Sequence, residues 1–212
     1  MFVGVRIGVS ASAPTVMATG IITANRQVWL AKSGAAGATW TDSSGNGRNM
    51  TLVGSPTIGA SSVTFNGTTQ YGTIAVSGVT TTCSIYLRFK QVSWAANARI
   101  ISGFNPRLIQ SASTPNIALI DTDTTPYAAN GNAAVGAFAS LGFVQSGGFT
   151  TINVNGTETT DFNAGDSWVA FSLAATSAGA SPSNIEVVEL IAYNIAHSGA
   201  ERAQMITYLG TL

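Results

Sequence analysis

Between Thr82 and Lys90 apolar and polar positions alternate, with Cys83, Ile85, Leu87 and Phe89 on one face and Ser84, Tyr86, Arg88 and Lys90 on the other. A period of two is that of a β-strand with one face turned to a core. Shorter runs predict further strands at Ser62 to Phe65, Gly72 to Val76, Arg99 to Ser102, Ile117 to Ile120, Trp168 to Leu173 and Ile185 to Tyr193. The stretch Thr151 to Thr159 carries Asn155-Gly156 at its centre, which predicts a hairpin closed by a type I′ turn. Ser198-Gly199-Ala200-Glu201 reads as a capping box, followed by Ala203, Met205, Ile206 and Leu209 at helical spacing, so one helix is expected to about Leu209. Many short strands between turn signals, and a single helix, predict an all-β sandwich.

The beginning of the chain has a different texture. Residues 1–36 are rich in Gly, Ala, Val and Ser, with strand-like runs at Phe2 to Val9 and Ile21 to Leu30. They read either as an N-terminal arm or as the first strands of the sheet, and residues 37–212 read as the main domain. Met1 to Gly20 has one positive residue and lacks the apolar core of a signal peptide. No run approaches the length needed to cross a bilayer as a helix, so a protein made in a cytoplasm, with no membrane partner, is expected.

Composition narrows the partners. Nine Lys and Arg balance nine Asp and Glu, and charged residues make up only 8% of the 212 positions. With no basic excess there is no electrostatic footprint for nucleic acid. The chain has 26 Thr, 22 Ser and 23 Gly, so hydroxyls replace the usual surface charge. Little long-range repulsion separates copies of such a chain, which suits a homo-oligomer or a larger assembly. The lone cysteine, Cys83, excludes an internal disulfide and a thiolate zinc site, and its place in the alternating strand predicts a core thiol.

Four stretches carry a resemblance. They are Trp40 to Pro56 with its Asp42-Ser43-Ser44-Gly45-Asn46-Gly47 turn, Phe65 to Tyr71, Val154 to Thr157, and Glu189 to Arg202. In this order, over residues 40–212, the sequence resembles the concanavalin A-like, laminin G-like jelly rolls, in particular those of tailed-phage virion proteins and bacterial surface proteins. The resemblance implies two antiparallel sheets with a short C-terminal helix. Some members of that family bind calcium through an acidic and amide loop, which here could map only onto Asp42 and Asn46. Read from the residues alone, Asp42 and Asn46 are turn formers whose side chains bond their own backbone, and no second carboxylate stands nearby in sequence. The expectation is therefore no cofactor, with a calcium ion as the alternative.

Glycoside hydrolases share this architecture, and their chemistry needs two carboxylates across one cleft. Glu186 and Glu189 are three apart, so on a regular strand they face opposite ways. Asp121 and Asp123 sit in a loop-like stretch, and His197 immediately precedes the helix cap. No catalytic residue is assigned and no enzyme is expected. The expectation is a virion structural protein, a capsid decoration, spike or fibre component, located in the virion and attached by its arm and jelly-roll surface to a major capsid or other virion protein. The alternative is a carbohydrate-binding module or adhesin, with Trp94 and Tyr127 as the candidate aromatics for stacking on a glycan, and Trp29, Trp40 and Trp168 assigned to the core.

Overall fold

The computed structural model describes residues 20–76, 79–103, 106–120, 126–146, 148–162, 168 and 170–212. Along the chain the strands are β1 (Arg26–Ala36), β2 (Thr39–Asp42), β3 (Met50–Val53), β4 (Thr57–Ile58), β5 (Val63–Asn66), β6 (Tyr71–Ala75), β7 (Cys83–Gln91) and β8 (Arg99–Ser102). There follow β9 (Arg107–Gln110), β10 (Ile117–Ile120), β11 (Pro126–Asn130), β12 (Phe138–Ser146), β13 (Phe149–Val154), β14 (Thr157–Phe162), β15 (Ala170–Leu173) and β16 (Asn184–Tyr193), then the helix α1 (Gly199–Gly210). The fold is all-β, a sandwich of antiparallel sheets with one short C-terminal helix, as the alternation predicts.

The first layer runs β11-β10-β9-β8-β15-β6-β3-β2 and the second β16-β7-β12-β13-β14. β1 belongs to both. Its first half pairs with β16, from Arg26 opposite Tyr193 to Leu30 opposite Leu190, and its second half pairs with β2 after an irregularity beyond Leu30. A strand that changes sheet through such a break turns the corner of a sandwich. The Ile21 to Leu30 strand expected from sequence thus starts later, at Arg26, and extends into the second pairing. Residues 1–19, with the Phe2 to Val9 run, lie outside the described residues.

Between the layers lies one continuous apolar core. Val28, Leu30, Trp40, Met50, Phe65, Ile74, Phe89, Phe143, Trp168 and Phe171 all contribute to it. Cys83, Ile85, Leu87 and Phe89 point into it as the period of two requires, and burial pushes the Cys83 thiol up to about 12. Trp168 packs against Phe143 and Phe171 at ring separations of 5.3 and 5.6 Å and donates its indole N–H to Gln145 Oε1. Local signals hold as well. Asn155 and Gly156 take φ of 52° and 91°, the positive pair a type I′ turn demands, and Val154 pairs directly with Thr157. Ser198 accepts from the Glu201 amide while the Glu201 carboxylate accepts from the Ser198 amide, completing the capping box.

Candidate binding face

The two layers present outer faces of opposite character, and the second layer's is closed. Tyr86, Val144, Ile191 and Tyr193 on its outer side are covered by Met205 and Leu209 of α1, with Ile21, Ile22, Trp29, Tyr208 and Leu212 packed around them. The Tyr193 hydroxyl donates to the Ile22 carbonyl, and Gln204 donates to the Gly20 carbonyl, so the segment leading into β1 is fastened to the helix.

Both strand carboxylates expected to face opposite ways lie on this same outer side. Within β16, Ile185, Val187, Leu190 and Ala192 point into the core, a parity that slips between Val187 and Leu190. The pairing with β7 shifts register at that place, Val187 standing opposite Phe89 and Glu189 opposite Arg88. The bulge adds one residue, so Glu186 and Glu189 share a face although three apart. Their partners differ. Glu186 is ion-paired to Lys90 and accepts from the Ser62 hydroxyl. Glu189 is 2% exposed and accepts from Trp29 Nε1 at 2.8 Å and the Tyr208 hydroxyl at 2.7 Å. Burial dominates at Glu189 and raises its pKa despite those donors, whereas at Glu186 the Lys90 and Ser62 contacts outweigh burial and lower it.

His197 is equally enclosed. Its Nδ1 lies 3.0 Å from the Tyr86 hydroxyl, its ring is 4.3 Å from that of Tyr193, and its amide donates to Ser84 Oγ. Burial lowers its pKa, which keeps the ring neutral. Glu158 accepts from Arg202 Nε and Nη2 at 2.7 and 2.9 Å and tethers α1 to β14. Trp29, assigned to the core from sequence, packs against the cluster on this outer side, with the Arg26 guanidinium 4.4 Å from its ring.

The first layer's outer face carries a different pattern. Thr39, Thr51, Thr73, Ser172, Ser102 and Arg107 form one row across six strands, each the direct cross-strand partner of the next. At about 4.8 Å per strand the row is roughly 24 Å long. Thr39 and Thr51 are exposed, Thr73 is half-buried, and Ser172 and Ser102 are buried, so the row descends toward its arginine end. A second bulge shapes that end. The β8–β9 register shifts between Arg99 and Ile101, both Ile100 and Ile101 enter the core, and Arg99 and Ser102 emerge on the same outer side. Arg99 Nη1 lies 3.4 Å from Ser102 Oγ, consistent with that placement.

Two concavities lie along this face. One, of about 410 Å³, is lined by Asn49, Thr51, Thr73, Ala75, Ser172 and Ser177 among others. The other, of about 270 Å³, is lined by Asn97, Arg99, Arg107, Ile109, Ile120 and Ser181. The 174–183 loop supplies Ser177 to the first and Ser181 to the second, so it is a wall common to both. That loop is held by its own bonds: Arg99 donates its amide to the Ser181 carbonyl, the Ser183 hydroxyl donates to the Arg99 carbonyl, and Thr176 Oγ1 accepts from the Ala178 and Ala180 amides. Burial, then the neighbouring charge of Arg107, lower the pKa of Arg99.

The residues singled out from sequence are dispersed. Asp42 accepts from the Trp29, Ser44 and Arg48 amides and the Ser44 hydroxyl, so its carboxylate closes a turn; those bonds outweigh burial and lower its pKa. Asn46 donates to the Arg26 and Gln27 carbonyls. Trp94 is half-buried in the β7–β8 loop, which Gln110 anchors by accepting from the Ala95 amide and donating to the Ser93 carbonyl. Tyr127 lies on β11, with its side chain outside the described residues, as are Asp121 and Asp123. Sequence reasoning missed the Arg99–Arg107 cavity. The available signal was a pair of arginines on the outward positions of two consecutive apolar strands.

No family model matches the chain, and no curated protein matches it. Solved structures do. A Trypanosoma rangeli sialidase in complex with sialic acid is 13% identical over 88% of this chain, with a TM-score of 0.70. The receptor-binding domain of the botulinum neurotoxin C/D mosaic serotype is 11% identical over 89%, with a TM-score of 0.68, and the serotype D binding domain is 11% identical over 89%, at 0.66. The likeness is one of fold. This chain spans 33% of the sialidase and 52% of each toxin domain.

Proposed function

We propose that this chain is a non-enzymatic contact protein that binds carbohydrate through the outer face of its first layer, displayed as a structural component of a virion. One observation carries the reading. On the second layer and α1, Glu158, Glu186, Glu189, Glu201 and His197 are each engaged by a structural partner, whereas the hydroxyl row on the first layer leads into two concavities. A hydroxyl-lined concave surface suits a neutral, polyhydroxylated ligand, whose rims exchange hydrogen bonds with Ser, Thr and Asn. Neighbours of the same fold include receptor-binding domains and a sialidase seen with sialic acid, which lends the sugar reading support.

The virion part rests on the resemblance of residues 40–212 to phage jelly rolls and on one geometric feature. Gly20, the first described residue, is bonded to α1 on the second layer's outer side, opposite the hydroxyl row. Attachment on that side would leave the proposed binding face free. Repeated copies on a lattice would raise a weak sugar affinity through avidity. A glycan array and mass spectrometry of particles carrying the chain test the two parts separately. Saturable glycan binding lost in Thr73→Lys supports the sugar part, and an array with no binder overturns it. Stoichiometric recovery with a major capsid or tail protein supports the virion part, and recovery as a free protein overturns it.

A further inference from the structure

The larger concavity on the first layer's outer face is a trough between two rows. One is the hydroxyl row, here Ser172, Thr73 and Thr51. The other lies two residues along the strands, where exposed Ala170 stands directly opposite exposed Ala75 and Asn49 continues the line ahead of β3. By strand geometry the rows are about 7 Å apart and each is about 10 Å long. Two methyl groups therefore form a floor, with hydroxyls along one side and a carboxamide at one end. At about 410 Å³ the trough falls within the roughly 300 to 1,000 Å³ of small-ligand pockets.

Small side chains alone would make a groove and nothing more. Ser172 supplies the second observation. It is 4% exposed, its neighbours Phe171 and Leu173 turn into the core, and it lines the trough, yet its hydroxyl has no hydrogen-bond partner among the described residues. The hydroxyls of Thr51 and Thr73 are likewise unengaged among the described residues, and Asn49, whose Oδ1 accepts the Asp42 amide, keeps its amide N–H donors open. An apolar occupant would strand the Ser172 hydroxyl without water or partner. A hydroxyl both donates and accepts, as those of a sugar do. A pyranose ring joins an apolar C–H face to a hydroxyl rim, the two kinds of surface the trough offers.

We propose that this trough seats a disaccharide unit of a pyranose glycan, laid flat with its C–H faces on the Ala75 and Ala170 methyls and its hydroxyls bonded to Ser172, Thr73, Thr51 and Asn49. This rests on the carbohydrate reading above and names its substrate class and its seat. Ser172, the most deeply buried of the four, fixes one hydroxyl, and Asn49 donates to another at the far end. The floor must be small, because a leucine at either alanine would stand where the ring lies. None of these contacts is ionic, so affinity holds as salt rises.

The test is NMR titration of the full chain, labelled at its alanine methyls, with maltose, cellobiose, lactose and diacetylchitobiose, and with inorganic sulfate as the contrasting probe. The expected result is saturable movement of the Ala75 and Ala170 signals with at least one disaccharide and none with sulfate. Ala75→Leu should lower affinity at least about tenfold with its thermal transition kept, and Ser172→Ala about fivefold, the worth of one hydrogen bond. Ala170→Leu serves if Ala75→Leu loses that transition. Failure of all four disaccharides to move either methyl overturns the proposal, as does full affinity in the folded leucine variant. Movement of the methyls with protein concentration alone would make the occupant a second copy of this chain and overturn it too. A glycan whose binding is lost in Thr73→Lys but which leaves both methyls still would overturn this inference while sparing the broader sugar reading.

Discussion

The outer faces of the two layers are built from the same alternation yet have been put to different uses. On the second layer the outward positions are Tyr86, Val144, Ile191 and Tyr193, large enough to need a cover, and α1 with the 20–25 segment supplies it. On the first layer, along β3, β6, β15 and β8, they are Thr51, Thr73, Ser172 and Ser102, small and hydrogen-bonding, and among the described residues no helix crosses them. The lesson is that outward residue size decides whether a sheet face becomes a second core beneath a helix or is left without one, as on the proposed binding face. Chemistry-bearing groups on the covered side are consumed by the fold: Glu189 satisfies Trp29 and Tyr208, and His197 meets Tyr86.

Substitutions should therefore separate the two faces. The largest effect is expected from Leu209→Ala, which removes a fully buried anchor of the helix and should cost about 2 to 5 kcal/mol in chemical denaturation. An unchanged midpoint would mean the helix is not part of the folding unit. Trp29→Phe takes one donor from buried Glu189 and should cost about 1 to 3 kcal/mol. At the other extreme, Thr73→Lys on the open face should stay within about 0.5 kcal/mol of wild type while abolishing glycan binding. Stability loss on the scale of Leu209→Ala would show that this face, too, is structural.

Acid response sharpens the same contrast. The pKa of Glu189 is raised by burial, so the folded state holds its proton more tightly than the unfolded chain, and its contribution to stability declines as pH rises above 4.5. Glu189→Gln should remove that decline, visible as a flatter melting profile from pH 4 upward. His197 has the opposite sign: its lowered pKa means stability lost as pH falls below 6.5, and His197→Asn should make the loss shallower. Thr51→Ala and Thr73→Ala, with no titratable group, should leave both slopes unchanged.

Features set by neighbours in sequence were legible in it. The Asn155-Gly156 turn, the Ser198–Glu201 box and the core face of β7 need only a few consecutive residues, so their chemistry is written locally. Bulges are not. The parity slip at Val188 arises where β16 meets β7, distant in sequence, and the one at Ile100 where β8 pairs with the next strand, β9, and each reverses which residues share a face. That is why Glu186 and Glu189 were placed on opposite sides, and why Arg99 and Ser102 were not recognised as neighbours. The cross-strand row escaped for the same reason, since its six members are spread from Thr39 to Ser172 and adjoin only through register. An apolar pattern also cannot distinguish one core from another, so it does not say that Trp29 joins the cluster beneath α1.

The central claim, contact without bond-breaking, is tested most directly by incubating the purified chain with neutral and acidic polysaccharides and counting bound protein and new reducing ends in the same tube. The account predicts saturable binding, lost in Thr73→Lys and retained in Glu189→Gln, with no new reducing ends. Release of reducing ends by the wild-type chain, abolished in Glu186→Gln or Glu189→Gln, would contradict it.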